Sequence, residues 1–218
     1  MSKADQPDED RFAPEGRGVL VIIIFICSLI EAILFASDVG IVNSSNLRWR
    51  FYEYGGFWSG LLGSWNPNYA VQPYSMFLTY GFLHSGLPHL IFNMVTLWGA
   101  GTLVIDRVGT KGFLVLYAAS IIGGGIGFGL LAPTVAPMVG ASGALFGLVG
   151  GILAWSYLDR FSFNEALWPV AQAGLFLIIL NLVLWWAMSG QLAWETHLGG
   201  FVTGWIVALL IDPRPAEN

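Results

Sequence analysis

Four polar side chains in this 218-residue chain are of types and spacings that suit chemistry: Ser142, His197, His89 and Asn93. Ser142 lies in Gly140-Ala141-Ser142-Gly143, inside a run with no charged residue from Gly112 to Leu158. A serine hydroxyl is a poor nucleophile until a base lies within hydrogen-bond reach, and His197 is the titratable candidate for that base. Ser142 also stands where a break at Pro133 and Pro137 gives way to an apolar helix. The first N–H groups of a helix lack internal partners and carry the positive end of its dipole, so they suit an oxyanion on an attacked carbonyl. The same position suits a serine that merely caps the helix, and the residue alone does not choose between the two. The pattern is not the G-x-S-x-G elbow of soluble hydrolases, because Ala144 holds the last place.

His89 and Asn93 are four residues apart and share one helix face. Both can donate hydrogen bonds, so they suit the side-chain half of an oxyanion hole; otherwise they bond neighbouring helices. A metal site built on His84, His89 and His197 lacks any well-placed carboxylate or thiol. No metal and no cofactor is therefore expected, and His84 is read as ordering the loop before its helix. No acidic third member is evident. Glu195 is two residues from His197 and faces elsewhere, and Glu31 is read as a buried hydrogen-bond partner of an outer loop. Asn181 is read as a helix-packing hydrogen bond. The expectation is a Ser–His dyad.

The elements that must position these groups are membrane helices. The chain is 56% hydrophobic and only 11% charged, where a soluble domain carries about 25% charged residues. A span needs about 20 apolar residues. Such runs fall at 18–36, 87–105, 112–131, 142–158, 168–188 and 195–211, with a long polar and aromatic loop after the first. The expected fold is an all-α, six-span bundle over 18–211, between a short tail at 1–17 and another at 212–218. The acidic, Pro-containing start is not read as a signal peptide. Lys3, Arg11, Arg17, Arg107, Lys111, Arg160 and Arg214 fall on one side, and only Arg48 and Arg50 on the other. By the positive-inside bias both ends are cytosolic. Ser142, His197, His89 and Asn93 then all sit near the outer ends of their spans. The lone cysteine, Cys27, permits no internal disulfide, and no basic patch invites nucleic acid.

Glycines suggest how the spans meet. Gly143, Gly147 and Gly151 recur at spacing four, while Gly200 and Gly204 share a helix face with His197. Small residues at such spacing let membrane helices approach closely. The fourth and sixth spans should therefore pack together and join Ser142 to His197. Gly123, Gly124, Gly125, Gly127 and Gly129 lack the Lys and Ser/Thr of a phosphate loop and are read as packing.

Taken together, Phe82-Leu83-His84, then His89-Leu90-Ile91-Phe92-Asn93-Met94, then Gly140-Ala141-Ser142-Gly143, then His197 with Gly200 and Gly204, resemble the rhomboid family of intramembrane serine proteases in its basic six-span form. The resemblance covers about Gln72 to the end. It implies Ser142 as nucleophile and His197 as general base, with His89, Asn93 and the Ser142 backbone N–H as the oxyanion hole. It implies that Phe146 packs on the imidazole and that the fifth span, with the loop after it, is a lateral gate for a substrate helix. It also implies single-span membrane proteins as substrates, the lipid bilayer as surroundings and a bacterial inner membrane as location. Two departures stand out: the family's Trp-Arg pair is absent where Ser75-Met76 stand, and Thr196 replaces the alanine before the histidine. Trp49-Arg50 lie upstream of that place. Two rival readings are a rhomboid-like protein that binds membrane clients without cutting, and a transporter, which the lack of a polar relay beyond the outer half disfavours.

Overall fold

The computed structural model describes residues 16–42, 46–132 and 136–212. The expected tails, apart from Gly16, Arg17 and Asp212, lie outside the described residues, as does the break at Pro133. The described helices are α1 Gly18–Asp38, α2 Leu47–Gly55, α3 Gln72–Thr79, α4 Leu87–Leu131, α5 Ser142–Ser162, α6 Trp168–Ala187 and α7 Trp194–Ile211, with single 3-10 turns at Ser59–Leu62 and Tyr80–Phe82. Among the described residues the only β-type pairing is one isolated bridge. The fold is an all-α bundle.

Four of these helices, α1, α4, α6 and α7, are long and apolar enough to cross a membrane. At 45 residues, α4 is long enough to do so twice. The charged link expected between the second and third spans is not a loop. It is helical except at Gly109, whose φ of 70° and ψ of 176° break the rod in two. One glycine in the left-handed region suffices for that reversal because it has no Cβ to clash. The outer loop likewise holds more structure than its composition suggested, namely α2 and the 3-10 turn that follows it.

Burial follows the helical period. In α1 the buried residues are Leu20, Ile23, Cys27, Glu31 and Leu34, a single stripe. Val21, Ile22, Phe25 and Leu29 on its other face stay exposed. A soluble protein would not leave so broad an apolar surface uncovered, whereas lipid covers it without cost.

At the centre, α5 and α7 touch backbone to backbone. A methyl group on Gly200 would collide with the Gly143 carbonyl, and one on Gly204 with the Gly147 carbonyl. The second half of α4 joins them, with Gly127 against the Glu195 carbonyl and Gly199. Trp155 of α5 donates from Nε1 to the Ala208 carbonyl of α7 at 3.0 Å. At the end of α5 remote from Ser142, Arg107 bonds Asp159 at 2.8 Å and Asp212 at 3.1 Å, and stacks over Trp155. Ion pairs thus join α4, α5 and the end of α7 there. Gly204→Val is expected to destabilise the protein by about 3 kcal/mol, the upper range for overpacking, because backbone cannot step aside. Unfolding by denaturing detergent measures this; an unchanged midpoint would contradict the close approach.

Candidate active site

Three supports fix Ser142. Its helix begins two residues after Gly140, whose φ of 129° turns the chain. The segment before it is clamped from above: Phe57 and Met138 exchange backbone hydrogen bonds, both 2.9 Å, and Gly140 N–H donates to the Tyr80 carbonyl at 3.0 Å. Glycine contact with α7 fixes the first turn from the side. The residue in the N-cap position is Ala141, and Ser142 is the first helical residue, with no side-chain capping bond. The capping reading of Ser142 is therefore set aside. Its hydroxyl is turned toward α7, where Oγ lies 2.9 Å from His197 Nε2.

His197 sits in the first turn of α7 and is buried. Phe146, four residues after Ser142 on α5, stacks on the imidazole with ring centroids 4.1 Å apart and planes 8° apart. The other ring nitrogen, Nδ1, lies 2.6 Å from Asn181 Oδ1 on α6. The Asn181 amide is oriented by its own helix, since Nδ2 donates to the Leu177 carbonyl at 2.9 Å. Oδ1 can only accept, so Nδ1 of His197 carries the hydrogen and Nε2 presents its lone pair to Ser142. Both nitrogens are thus engaged by protein partners, which leaves none for a metal shared with His84 and His89.

His89 and Asn93 occupy the first two turns of α4. The Ser85 N–H approaches His89 Nδ1 at 3.3 Å, and Ser85 Oγ lies 2.9 Å from the same atom. A backbone N–H can only donate, so Nδ1 accepts and the hydrogen resides on Nε2. That nitrogen faces Gly140: a Cβ built on Gly140 would stand 2.8 Å from it, and 3.8 Å from Asn93 Nδ2. The Asn93 Nδ2 group is buried and bonds no described protein atom. Two N–H donors therefore point at the turn that carries Ser142, whose own N–H has no helical partner.

The remaining expected residues support this group from outside. Gly143 lies against Tyr80 and Thr196. Thr196, which replaces the family's alanine, is buried at this contact. His84 packs its ring edge-on to His89 at 5.2 Å, and burial pushes its pKa down to about 3, so it is neutral. The His84 carbonyl accepts from Arg48 at 2.9 Å and from Tyr52 at 2.8 Å. Arg48 also makes a two-pronged pair with the fully buried Glu31, at 2.8 and 2.9 Å, and bonds Asp38. This clasp anchors the outer loop where the Trp-Arg pair is missing, and gives Glu31 the loop partner expected of it. Trp49 and Arg50 take no part in it.

Sequence reasoning missed two contributors. Asn181 is not simply packing, because its partner is His197. Ser85 is the other, and a serine one turn before His89 is its local signal in the sequence. Glu195 makes no hydrogen bond or ion pair with His197 among those described.

An all-α membrane bundle with a serine, a histidine and convergent N–H donors near one end defines the class. A family model of the rhomboid domain matches residues 72–214, and the chain belongs to the rhomboid family. With its apolar helices, this makes it an integral membrane protein. Similar proteins include the rhomboid protease GluP of Bacillus subtilis, 36% identical over 58% of this chain and 24% of that one. The mitochondrial Rhomboid protein 1 of Saccharomyces cerevisiae is 34% identical over 61% of this chain and 42% of its own length. Rhomboid-like protease 3 of Toxoplasma gondii is 34% identical over 56% and 46%. The chain spans less than half the length of each of these three relatives.

Proposed function

We propose that this protein is an intramembrane serine endopeptidase that cuts transmembrane segments of membrane proteins with Ser142 and His197. The observation that carries the reading is the 2.9 Å contact between Ser142 Oγ and His197 Nε2, beside a buried Asn93 Nδ2 that bonds no described protein atom. Membership of a family with relatives named proteases supports the reaction class.

In this mechanism His197 Nε2 takes the Ser142 hydroxyl proton as Oγ attacks the scissile carbonyl carbon. The carbonyl oxygen becomes an oxyanion, met by the Ser142 N–H, Asn93 Nδ2 and His89 Nε2–H. His197 then gives its proton to the leaving amine, and the C–N bond breaks. Water, deprotonated by the same nitrogen, attacks the ester carbon; the C–Oγ bond then breaks, and His197 Nε2 returns the proton to Ser142 Oγ as the acid product leaves. Asn181 and Phe146 hold the ring in one plane throughout, and Gly140 keeps the approach open.

Membrane peptide bonds are hidden by helical hydrogen bonds, so the substrate must unwind locally. Substrates are single-span proteins with small or helix-breaking residues near the outer boundary. The membrane domain is 18–211 with six spans and cytosolic termini, and the membrane is a bacterial inner membrane. The test is cleavage of a fluorescent single-span substrate in liposomes by wild type and Ser142→Ala. Loss of cleavage in the variant, with cut sites in the outer half of the substrate span, is expected. Cleavage that survives Ser142→Ala, or cut sites in the cytosolic half, contradicts the reading. A wild type that binds such proteins without cutting them indicates the client-binding alternative.

A further inference from the structure

The loosest long helix in the bundle carries one of the most exacting contacts. No residue of α6 is buried, although it has 20 residues. Its inner face consists of Val170, Ala173, Gly174, Leu177, Leu180 and Asn181, at helical spacing and each only half-buried. Every other long helix sinks a stripe of side chains into the core. Among the described residues, the one hydrogen bond between α6 and another helix is that from His197 Nδ1 to Asn181 Oδ1. Packing thus does little to hold α6 in place, and its polar tie ends on the imidazole that touches Ser142.

We infer that Asn181 is the positioning residue for His197, and that through it the seating of α6 sets whether the base is ready. This rests on the reading of Ser142 and His197 as nucleophile and base. With α6 seated, the amide oxygen holds the hydrogen on Nδ1, and Nε2 keeps its lone pair toward Ser142. With α6 displaced, Nδ1 loses its acceptor in a buried site. The imidazole is then free to turn or to adopt the other tautomer, which points an N–H at the serine and cannot take its proton. α6 must therefore be back in its seat before reaction begins. The tie therefore suppresses attack while the site is open to water and lipid, and restores it on closure.

The geometry explains why the acceptor is an amide. A carboxylate on a lipid-facing helix with no buried residue would be costly whenever α6 left its seat, whereas a neutral amide tolerates both positions. The i−4 bond to the Leu177 carbonyl orients that amide and lies within α6 itself.

The test uses the full chain in liposomes, with Asn181→Leu, Asn181→Asp, Leu177→Ala and the Leu177→Ala/Asn181→Leu pair. The readouts are kcat and KM for a single-span substrate and the rate of Ser142 labelling by a small fluorophosphonate. Asn181→Leu is close in size but cannot accept; it is expected to lower kcat and the labelling rate by about 10- to 100-fold, as misplacement of a catalytic group by about 1 Å does, with KM little changed. Asn181→Asp keeps the acceptor and should recover most of the labelling rate. Leu177→Ala loosens the seat without removing the acceptor. It should slow labelling in the parent protein and add nothing in the Asn181→Leu background. Wild-type kcat and labelling in Asn181→Leu, a loss confined to KM, failure of Asn181→Asp to recover, or additive losses in the pair each overturn the inference. If the parent cleaves, Ser142→Ala does not, and Asn181→Leu is unchanged, this inference alone fails. If the parent neither cleaves nor labels, both readings fail together.

Discussion

Ser142→Ala and His197→Ala are each expected to lower cleavage of a single-span substrate by at least about 10⁴-fold, and the double variant is expected to be no worse than either single one. Members of a nucleophile–base pair act as a unit, so removing one removes nearly all that the pair contributes. The geometry sharpens this. His197 is buried, stacked on Phe146 and bonded on both nitrogens, and among the described residues no other side chain bonds the Ser142 hydroxyl. The lack of a capping bond from Ser142 also means that Ser142→Ala removes a reactive hydroxyl without loosening α5. Stability should therefore stay near that of the parent while activity vanishes. Losses that simply multiply in the double variant would show that the two residues act separately.

Arg48→Ala is expected to destabilise the protein by about 3–5 kcal/mol, the usual cost of leaving a buried carboxylate without its partner. Glu31 is fully buried within α1 and both its oxygens are bonded to Arg48. Arg48 also reaches Asp38 and the His84 carbonyl, so one side chain ties α1, α2 and the approach to α4. Glu31→Gln in the Arg48→Ala background removes the stranded charge and should recover part of the loss. Because the clasp ends on His84, and the His84 ring packs on His89, Arg48→Ala should also lower the cleavage rate in protein that remains folded. Denaturing-detergent titration and turnover of the four proteins of the cycle measure both effects. A wild-type midpoint for Arg48→Ala would show that the loop is anchored elsewhere.

Much of the fold was legible because membrane helices announce themselves by length and apolarity, and because glycine spacing marks close contact. Gly143 and Gly147 facing Gly200 and Gly204 is a contact that spacing alone can suggest. What escaped the sequence depended on where side chains meet across helices. Asn181 looks like any polar packing residue until the rotation of α6 is known. Arg48 is one of two arginines in a loop, and only the fold of α2 turns it rather than Arg50 toward Glu31. Gly109 is an ordinary glycine in a charged link, yet it alone divides two rods. The segment that leads into Ser142 is held by the Phe57–Met138 clamp, which joins positions some 80 residues apart.

The central claim is that Ser142 is a nucleophile made reactive by His197. Its most direct test is to treat the liposome-embedded protein with a fluorophosphonate and map the adduct by mass spectrometry, in the parent and in His197→Ala. The account predicts an adduct on Ser142 in the parent, and almost none in the variant. An adduct on another serine, or labelling of Ser142 that is undiminished in His197→Ala, would contradict it.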